Sequence, residues 1–145
     1  GEIPDFSRVA KPYSVNRNTL YPFLAPPAWP AGSFVTTIRD YAKIMITILN
    51  DGNYDGQQIL KPESVALMLT ELRDDYAILW YKSGTEINGK QLIRHEGGLE
   101  GVKTSAFLDP SSKTGFAVFS NTDFVFTWSY QEILTCLDQK SREYL

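Results

Sequence analysis

The only histidine of the chain stands beside a group of closely spaced glycines. In the segment LIRHEGGLEG, His95 and Glu96 are followed by Gly97, Gly98 and Gly101. Glycine lets a backbone approach a ligand closely, and free amide N–H groups beside it can stabilise an oxyanion. A histidine there can donate hydrogen bonds or carry charge. The spacing fits a binding or catalytic strand, and it fits equally well an ordinary glycine-containing turn with a surface histidine.

A second candidate for chemistry is the string Lys113-Thr114-Gly115, whose lysine could face a cleft if these residues lay on an active-site strand. The string follows Asp109-Pro110-Ser111-Ser112 directly. Such a cluster is typical of a tight connection between two strands, and a lysine at a hairpin tip points to water. We therefore predict a turn at this place rather than a site.

No nucleophile can be recognised in the sequence. No serine has a lysine three residues further on, and there is no Gly-x-Ser-x-Gly. Tyr13-Ser14-Val15-Asn16 is one residue longer than Tyr-x-Asn, and its Pro- and Asn-rich surroundings favour a loop tyrosine. Cys136 falls in a predicted helix, where a buried small hydrophobe is favoured over a reactive thiol. A single cysteine and a single histidine leave no metal-site spacing, and no cofactor is expected.

Composition predicts one domain over residues 1–145 and excludes some partners. The chain is 43% hydrophobic, enough to bury a substantial core. A net charge of -3 argues against a nucleic-acid partner. The apolar stretches are far shorter than the roughly twenty residues that span a bilayer, so no membrane segment is expected.

Helices are predicted both before and after the histidine segment in the sequence. The first should run from about residue 38 to residue 50, because Thr37 suits an N-cap and Asp51–Gly52 ends it. Its predicted apolar face consists of Tyr41, Ile44, Met45, Ile48 and Leu49. A short second helix begins at Pro62, with Val65, Met68 and Leu69 on its apolar face. An amphipathic helix is predicted at the C-terminal end from Trp128, Ile133, Leu134 and Leu137.

Strands are predicted near 76–82, 90–95, 102–108 and 115–120, as an antiparallel meander of about three to four strands. The fold class is therefore α+β, with helices packed on an antiparallel sheet. The segment GFAVFS is apolar at nearly every step, whereas a sheet covered on one face shows alternation. This strand should lie centrally or have a further neighbour.

Several of these segments, taken in order, resemble one family. PAGSFVTTIRDYAKIMITILNDG, ILKPESVALM, LWY and HEGGLEGVKTSAFLDPSSKTGFAVFSNTD are similar to the C-terminal part of the serine β-lactamase-like hydrolases. That superfamily includes class C β-lactamases, D-alanyl-D-alanine carboxypeptidases and esterases. The resemblance covers roughly residues 8 to 140, and its order and spacing are more specific than any single motif.

The resemblance implies a substrate-binding role for His95, Glu96, Gly97, Gly98 and Asn121. His95-Glu96-Gly97 matches the family's third motif, Lys-Thr-Gly or His-x-Gly. The amide of Gly98 would form half of an oxyanion hole, and Asn121 matches a strand-end asparagine. Glu96 stands where the family has a small residue or threonine, and its charge could disfavour an anionic substrate group.

The family's Ser-x-x-Lys and Tyr-x-Asn motifs and its N-terminal strands have no match here. The resemblance therefore implies a partial domain whose catalytic nucleophile is supplied upstream, and an inactive fragment. An unpaired strand edge near Gly115 would invite a homodimer or pairing with the missing segment. The alternative is a non-catalytic binding or assembly module of the same fold. The family is often periplasmic or extracellular, but nothing in the sequence indicates the compartment.

Overall fold

The computed structural model describes residues 6–15, 19–22, 32–82, 86–123 and 128–143. Within these residues the chain forms a short 3-10 turn, Phe6–Arg8, followed by helices and strands of an α+β fold. The helices are α1 (Ile38–Leu49), α2 (Pro62–Leu69) and α3 (Trp128–Arg142). The strands are β1 (Asn53–Tyr54), β2 (Gln57–Gln58), β3 (Ile93–Leu99), β4 (Val102–Asp109) and β5 (Thr114–Ser120). The predicted fold class is confirmed.

The main sheet is an antiparallel meander in the order β3-β4-β5. Its register places Ile93 opposite Leu108 and Asp109 opposite Thr114. β3 and β5 are therefore the two edge strands of this sheet. The small hairpin β1-β2 was not predicted, because strands of two residues are too short to show a periodic pattern.

Helices cover both faces of the main sheet. On one face, which we call the α1 face, Met45, Ile48 and Leu49 pack with Ile93, Ala106 and Leu108. On the other, the α3 face, Tyr130 and Leu134 pack with Phe107 and Phe116, whose rings stack with centroids 4.9 Å apart. The apolar sequence of β5 follows from this double covering rather than from a central position in the sheet, because its side chains meet a helix on each side.

The strand predicted at 76–82 is wrong. Residues 73–81 instead make isolated antiparallel pairs, Arg73 with Tyr76, Tyr76 with Tyr81, and Tyr81 with Arg94. Positive φ angles at Asp74, Asp75 and Leu79 turn the chain twice within this segment, which prevents a continuous strand. The strand predicted at 90–95 begins instead at Ile93 and continues through the glycines to Leu99.

The first helix begins as predicted, with the Asp40 amide donating to Thr37 Oγ1 at 3.1 Å. Its predicted apolar face is too wide, because Ile44 is 42% exposed and only the narrower stripe facing the sheet is buried. The same holds for Ile133 in α3, which is 49% exposed. Cys136 is exposed as well, so its predicted burial is wrong. The side chain of Trp128 lies outside the described residues.

The turn predicted at Lys113 is confirmed. Lys113 has a φ of 53°, and Thr114 opens β5. The Lys113 ammonium lies 3.3 Å from Asp51 Oδ2 at the surface, so this lysine enters no cleft. No helix within the described part of the chain is both long and apolar enough to cross a membrane.

Candidate functional site

The four site residues predicted around the histidine lie on the edge strand β3. His95, Gly97 and Gly98 are exposed, and Glu96 is half-buried. Gly97 and Gly98 pair with Thr104 and Lys103 across the β3-β4 ladder. The interpretation as a glycine turn is therefore wrong for these two glycines.

The turn that joins β3 to β4 lies after these glycines, at Gly101. This glycine has a φ of 70°, and a side chain there would collide with Pro12 and Tyr13. Its amide donates to Asp123 Oδ1 at 2.6 Å. The hairpin turn is thus packed against the 12–13 segment rather than open to a ligand.

The side chains of His95 and Glu96 point to opposite faces of the sheet. His95 pairs with Ala106, whose side chain lies in the α1 cluster, whereas Glu96 pairs with Ser105 on the α3 face. This follows from the alternation of side chains along a strand. A ligand on one face of β3 can therefore contact only one of the two side chains.

The ring of His95 is fixed by the backbone of the preceding turn. Nδ1 lies 2.6 Å from the Leu79 carbonyl oxygen, and the Trp80 ring meets the imidazole edge to face with centroids 6.3 Å apart. A carbonyl oxygen can only accept, so Nδ1 carries the hydrogen. Among the described residues Nε2 has no partner. In the neutral form of the ring, Nε2 is therefore the unprotonated nitrogen, and it faces away from this hydrogen bond.

Leu79 adopts a conformation that leucine rarely takes. Its φ is 68°, in the left-handed region, at a two-residue turn where the Ala77 amide donates to the Trp80 carbonyl at 2.7 Å. For a residue with a side chain this conformation costs roughly 1–2 kcal/mol. The side chain is 68% exposed, so burial within the chain offsets little of that cost. Strain of this kind is concentrated at functional sites.

Glu96 is held in a paired environment on the α3 face. Tyr81 donates its phenol to Glu96 Oε2 at 2.8 Å, and an Arg94 terminal nitrogen lies 3.6 Å from Oε1. The Arg94 guanidinium also stacks over the Tyr81 ring at 4.9 Å. Burial raises the pKa of Tyr81 well above its usual range, and the neighbouring Glu96 carboxylate raises it further. Tyr81 therefore stays protonated as a hydrogen-bond donor.

Beyond Arg94, no described residue forms backbone hydrogen bonds with β3 on the side away from β4. Arg94 exchanges two hydrogen bonds with Tyr81, at 2.8 and 3.0 Å, so its amide and carbonyl point to the outer edge. Backbone groups alternate along an antiparallel strand, which directs those of Glu96 and Gly98 to the same edge. No described residue accepts the Gly98 N–H. This amide is available to a ligand.

Asn121 lies apart from the histidine. It follows β5, and β4 separates β5 from β3 by two strand spacings, roughly 10 Å; the register also places Asn121 beyond the level of Gly98 rather than opposite His95. Its side-chain amide donates to the Lys11 carbonyl at 3.0 Å, and its own carbonyl accepts from the Tyr13 amide at 2.9 Å. In this structure Asn121 holds the 11–13 segment, and the described residues do not bring it to His95.

Two residues that shape this region were missed at the level of sequence. Tyr81 stood inside a segment interpreted as a strand, and no motif indicated its bond to Glu96. Leu79 carries no signal, because a leucine in the left-handed region cannot be recognised from its type. The described residues include no cluster of His, Cys, Asp and Glu that could hold a metal ion.

The sequence matches no protein-family model, and no curated protein matches it. The function must therefore be argued from the residues of β3 and their geometry.

Proposed function

We propose that this chain supplies the strand side of an acyl-transfer active site, as part of a serine hydrolase of the β-lactamase-like kind that acts on an amide or ester. A serine from a segment outside these 145 residues attacks the carbonyl, and a lysine and a tyrosine from that segment move the protons. The Gly98 amide helps to hold the oxyanion, and His95 lines the pocket. By itself the chain is inactive.

The outward-facing amide of Gly98 carries this proposal. It sits on the open edge of a strand that is anchored through β4 to the core, so its direction is fixed before a ligand arrives. A preorganised donor of this kind contributes about 100-fold to 1000-fold to acyl-transfer rates. The amide also follows His95 by three residues on the same edge strand, so a ligand along β3 can contact both.

The proposal gives Glu96 and Asn121 smaller roles. The Glu96 carboxylate is bonded to Tyr81 and lies on the face opposite His95, so it orders the strand more than it contacts the reacting group. The contribution of Asn121 to substrate binding stays a prediction from the family resemblance.

The test is covalent labelling by a fluorophosphonate and a fluorescent penicillin, followed by intact mass spectrometry. The 145-residue chain should give no adduct, and the longer protein encoded by its parent reading frame should give one. An adduct on the short chain would mean that one of its own serines, or Cys136, is the nucleophile. No adduct with the longer protein would contradict the hydrolase proposal.

Substitutions at Gly98 make this test specific for the amide. Gly98→Pro removes the N–H and should slow labelling of the longer protein by at least 100-fold. Proline is tolerated at an edge strand where the N–H faces outward. Gly98→Ala is the matched control, because it keeps the N–H and its methyl group meets only the mobile end of Lys103. Equal labelling rates of the two variants would contradict a role for this amide.

The second candidate function is a non-catalytic assembly module, and the edge strand β5 favours it. The sequence of β5, Thr114–Ser120, contains no charged residue. No described residue outside the sheet forms a backbone hydrogen bond with β5, and unpaired edges of this kind associate with other strands, in a second copy or in the longer protein. Light scattering of the short chain tests pairing between copies. Ala117→Pro should dissociate such a dimer. Backbone groups of β5 point alternately towards β4 and away from it, and the N–H of Ala117 points away, where the second strand would pair.

A further inference from the structure

We propose that Nε2 of His95 and the side chain of Leu79 form a binding site for an uncharged acyl compound. A hydroxyl or amide N–H of the ligand donates to Nε2, and an apolar group beside it packs on Leu79. The acyl character of the ligand rests on the proposed function. The donor requirement and the apolar contact rest only on the geometry of these two residues.

The hydrogen bond to Leu79 decides what His95 can recognise. Because Nδ1 donates to the Leu79 carbonyl, the neutral ring has its lone pair on Nε2. The side chain is exposed, so a ligand can reach that nitrogen. In its neutral form His95 therefore accepts a hydrogen bond at Nε2, and a group that can only accept finds no partner there.

The conformation of Leu79 indicates an apolar contact outside the chain's own core. Its left-handed backbone would suit glycine or asparagine without strain. Its exposed side chain gains little from the rest of the chain. The same residue supplies the carbonyl that orients His95. An observed backbone outlier supports a functional hypothesis, and here the hypothesis is a ligand surface beside Nε2.

The charges of the sheet favour an uncharged ligand at this place. In the alternation of side chains, Arg94 and Lys103 lie on the α3 face, on the other side of the sheet from His95. The α1 face of β3 and β4 near His95 carries Ala106 and Thr104 instead. A carboxylate at neutral His95 meets neither a donor at Nε2 nor a cation from these strands, so it binds more weakly than a carboxamide.

The first experiment reads the tautomer of His95 in the ¹⁵N-labelled chain. Long-range ¹H–¹⁵N couplings distinguish the two neutral imidazole forms, and His95 gives the only histidine signals of the sequence. At a pH where the ring is neutral, the hydrogen should be on Nδ1. A hydrogen on Nε2 would overturn the proposal, since the outer nitrogen would then be a donor.

The second experiment compares butyramide with butyrate, which share an apolar tail and differ in the terminal group. Each is titrated into the labelled chain while the resonances of His95 and Leu79 are followed. At a pH where the ring is neutral, butyramide should shift both residues at about tenfold lower concentration than butyrate, as expected for one hydrogen bond gained. Butyrate binding as tightly as butyramide, or no shift by either compound, would overturn the proposal.

Variants separate the two contacts. His95→Asn keeps a donor for the Leu79 carbonyl and removes the outer nitrogen, and Leu79→Gly removes the apolar surface. Each should weaken butyramide binding by about fivefold. Leu72→Gly is the matched control, because Leu72 is similarly exposed at 61% and has no positive φ. Unchanged binding in both site variants, or an equal loss in the control, would contradict the proposal.

The result of the butyramide titration is independent of the result of the covalent labelling test. Butyramide binding with no covalent adduct on the longer protein would retain this site and reject the hydrolase. An adduct on the longer protein without butyramide binding would retain the hydrolase and reject this site.

Discussion

Two polar regions of the molecule differ in how completely their groups are bonded. Where α3 meets the β4-β5 turn, the buried carboxylates Asp109 and Asp138 are bonded by Arg142, and Asn88 adds a bond to Asp138 at 2.6 Å. On β3, the His95 Nε2 and the Gly98 amide have no partner among the described residues. A fully bonded cluster stabilises the fold, whereas open groups on a rigid strand are available to a ligand.

The pairing of Arg142 gives the closed cluster its stability, so its removal should have the largest effect. Arg142→Met keeps the aliphatic stem, but it removes the ion pair of the buried Asp138 and leaves the buried Asp109 with only its longer contact to Lys90 at 3.4 Å. We expect the free energy of unfolding to fall by about 3 kcal/mol, measured by urea denaturation.

The matched control lies on the same helix. Lys140→Met removes an exposed ion pair with Glu143 and should change the free energy of unfolding by less than about 0.5 kcal/mol. If the Arg142 and Lys140 variants were equally stable, the closed cluster would not differ energetically from an ordinary surface.

Acid should lower the stability by less than the Arg142→Met substitution does, because protonated carboxyls keep part of their hydrogen bonding. Burial opposes the charged form of Asp138, but hydrogen bonds from Arg142 and Asn88 hold its pKa below the ordinary value of 3.8. A pKa lowered by folding contributes stability that is complete above the unfolded value and is lost as the pH falls through the folded value. Thermal melts should therefore show a decline in melting temperature that begins below about pH 4.

Asp138→Asn tests that origin of the acid sensitivity. The variant should be less stable near neutral pH and should lose less stability on acidification than the wild type. An equally steep decline in both proteins would assign the sensitivity to other carboxyls.

In the open region around His95, a substitution should leave the stability of the fold unchanged or raise it. Leu79→Gly removes the strain of the left-handed conformation and loses little burial, so the free energy of unfolding should rise or stay constant, by at most about 1 kcal/mol. Differential scanning calorimetry measures this change. A loss of more than about 1 kcal/mol would show that Leu79 is needed for the fold itself and would remove the argument from strain.

The sequence alone determined the elements with strong local signals. Helix α1 begins at its predicted cap because Thr37 and Asp40 act over a single turn. The turn at Lys113 is correct because a cluster of turn residues acts locally. The position of the histidine segment at a strand was one of two open interpretations, since glycine spacing cannot distinguish a strand edge from a turn.

Only the tertiary structure decided which groups meet. The opposite faces of His95 and Glu96 depend on the register of β3 against β4, and the pairing of Glu96 with Tyr81 joins residues fifteen positions apart. The tautomer of His95 depends on its hydrogen bond with the carbonyl of Leu79, a residue sixteen positions earlier whose φ is positive. Such contacts form through packing between distant segments, whereas caps, turns and periodic faces result from neighbouring residues, which a sequence displays directly.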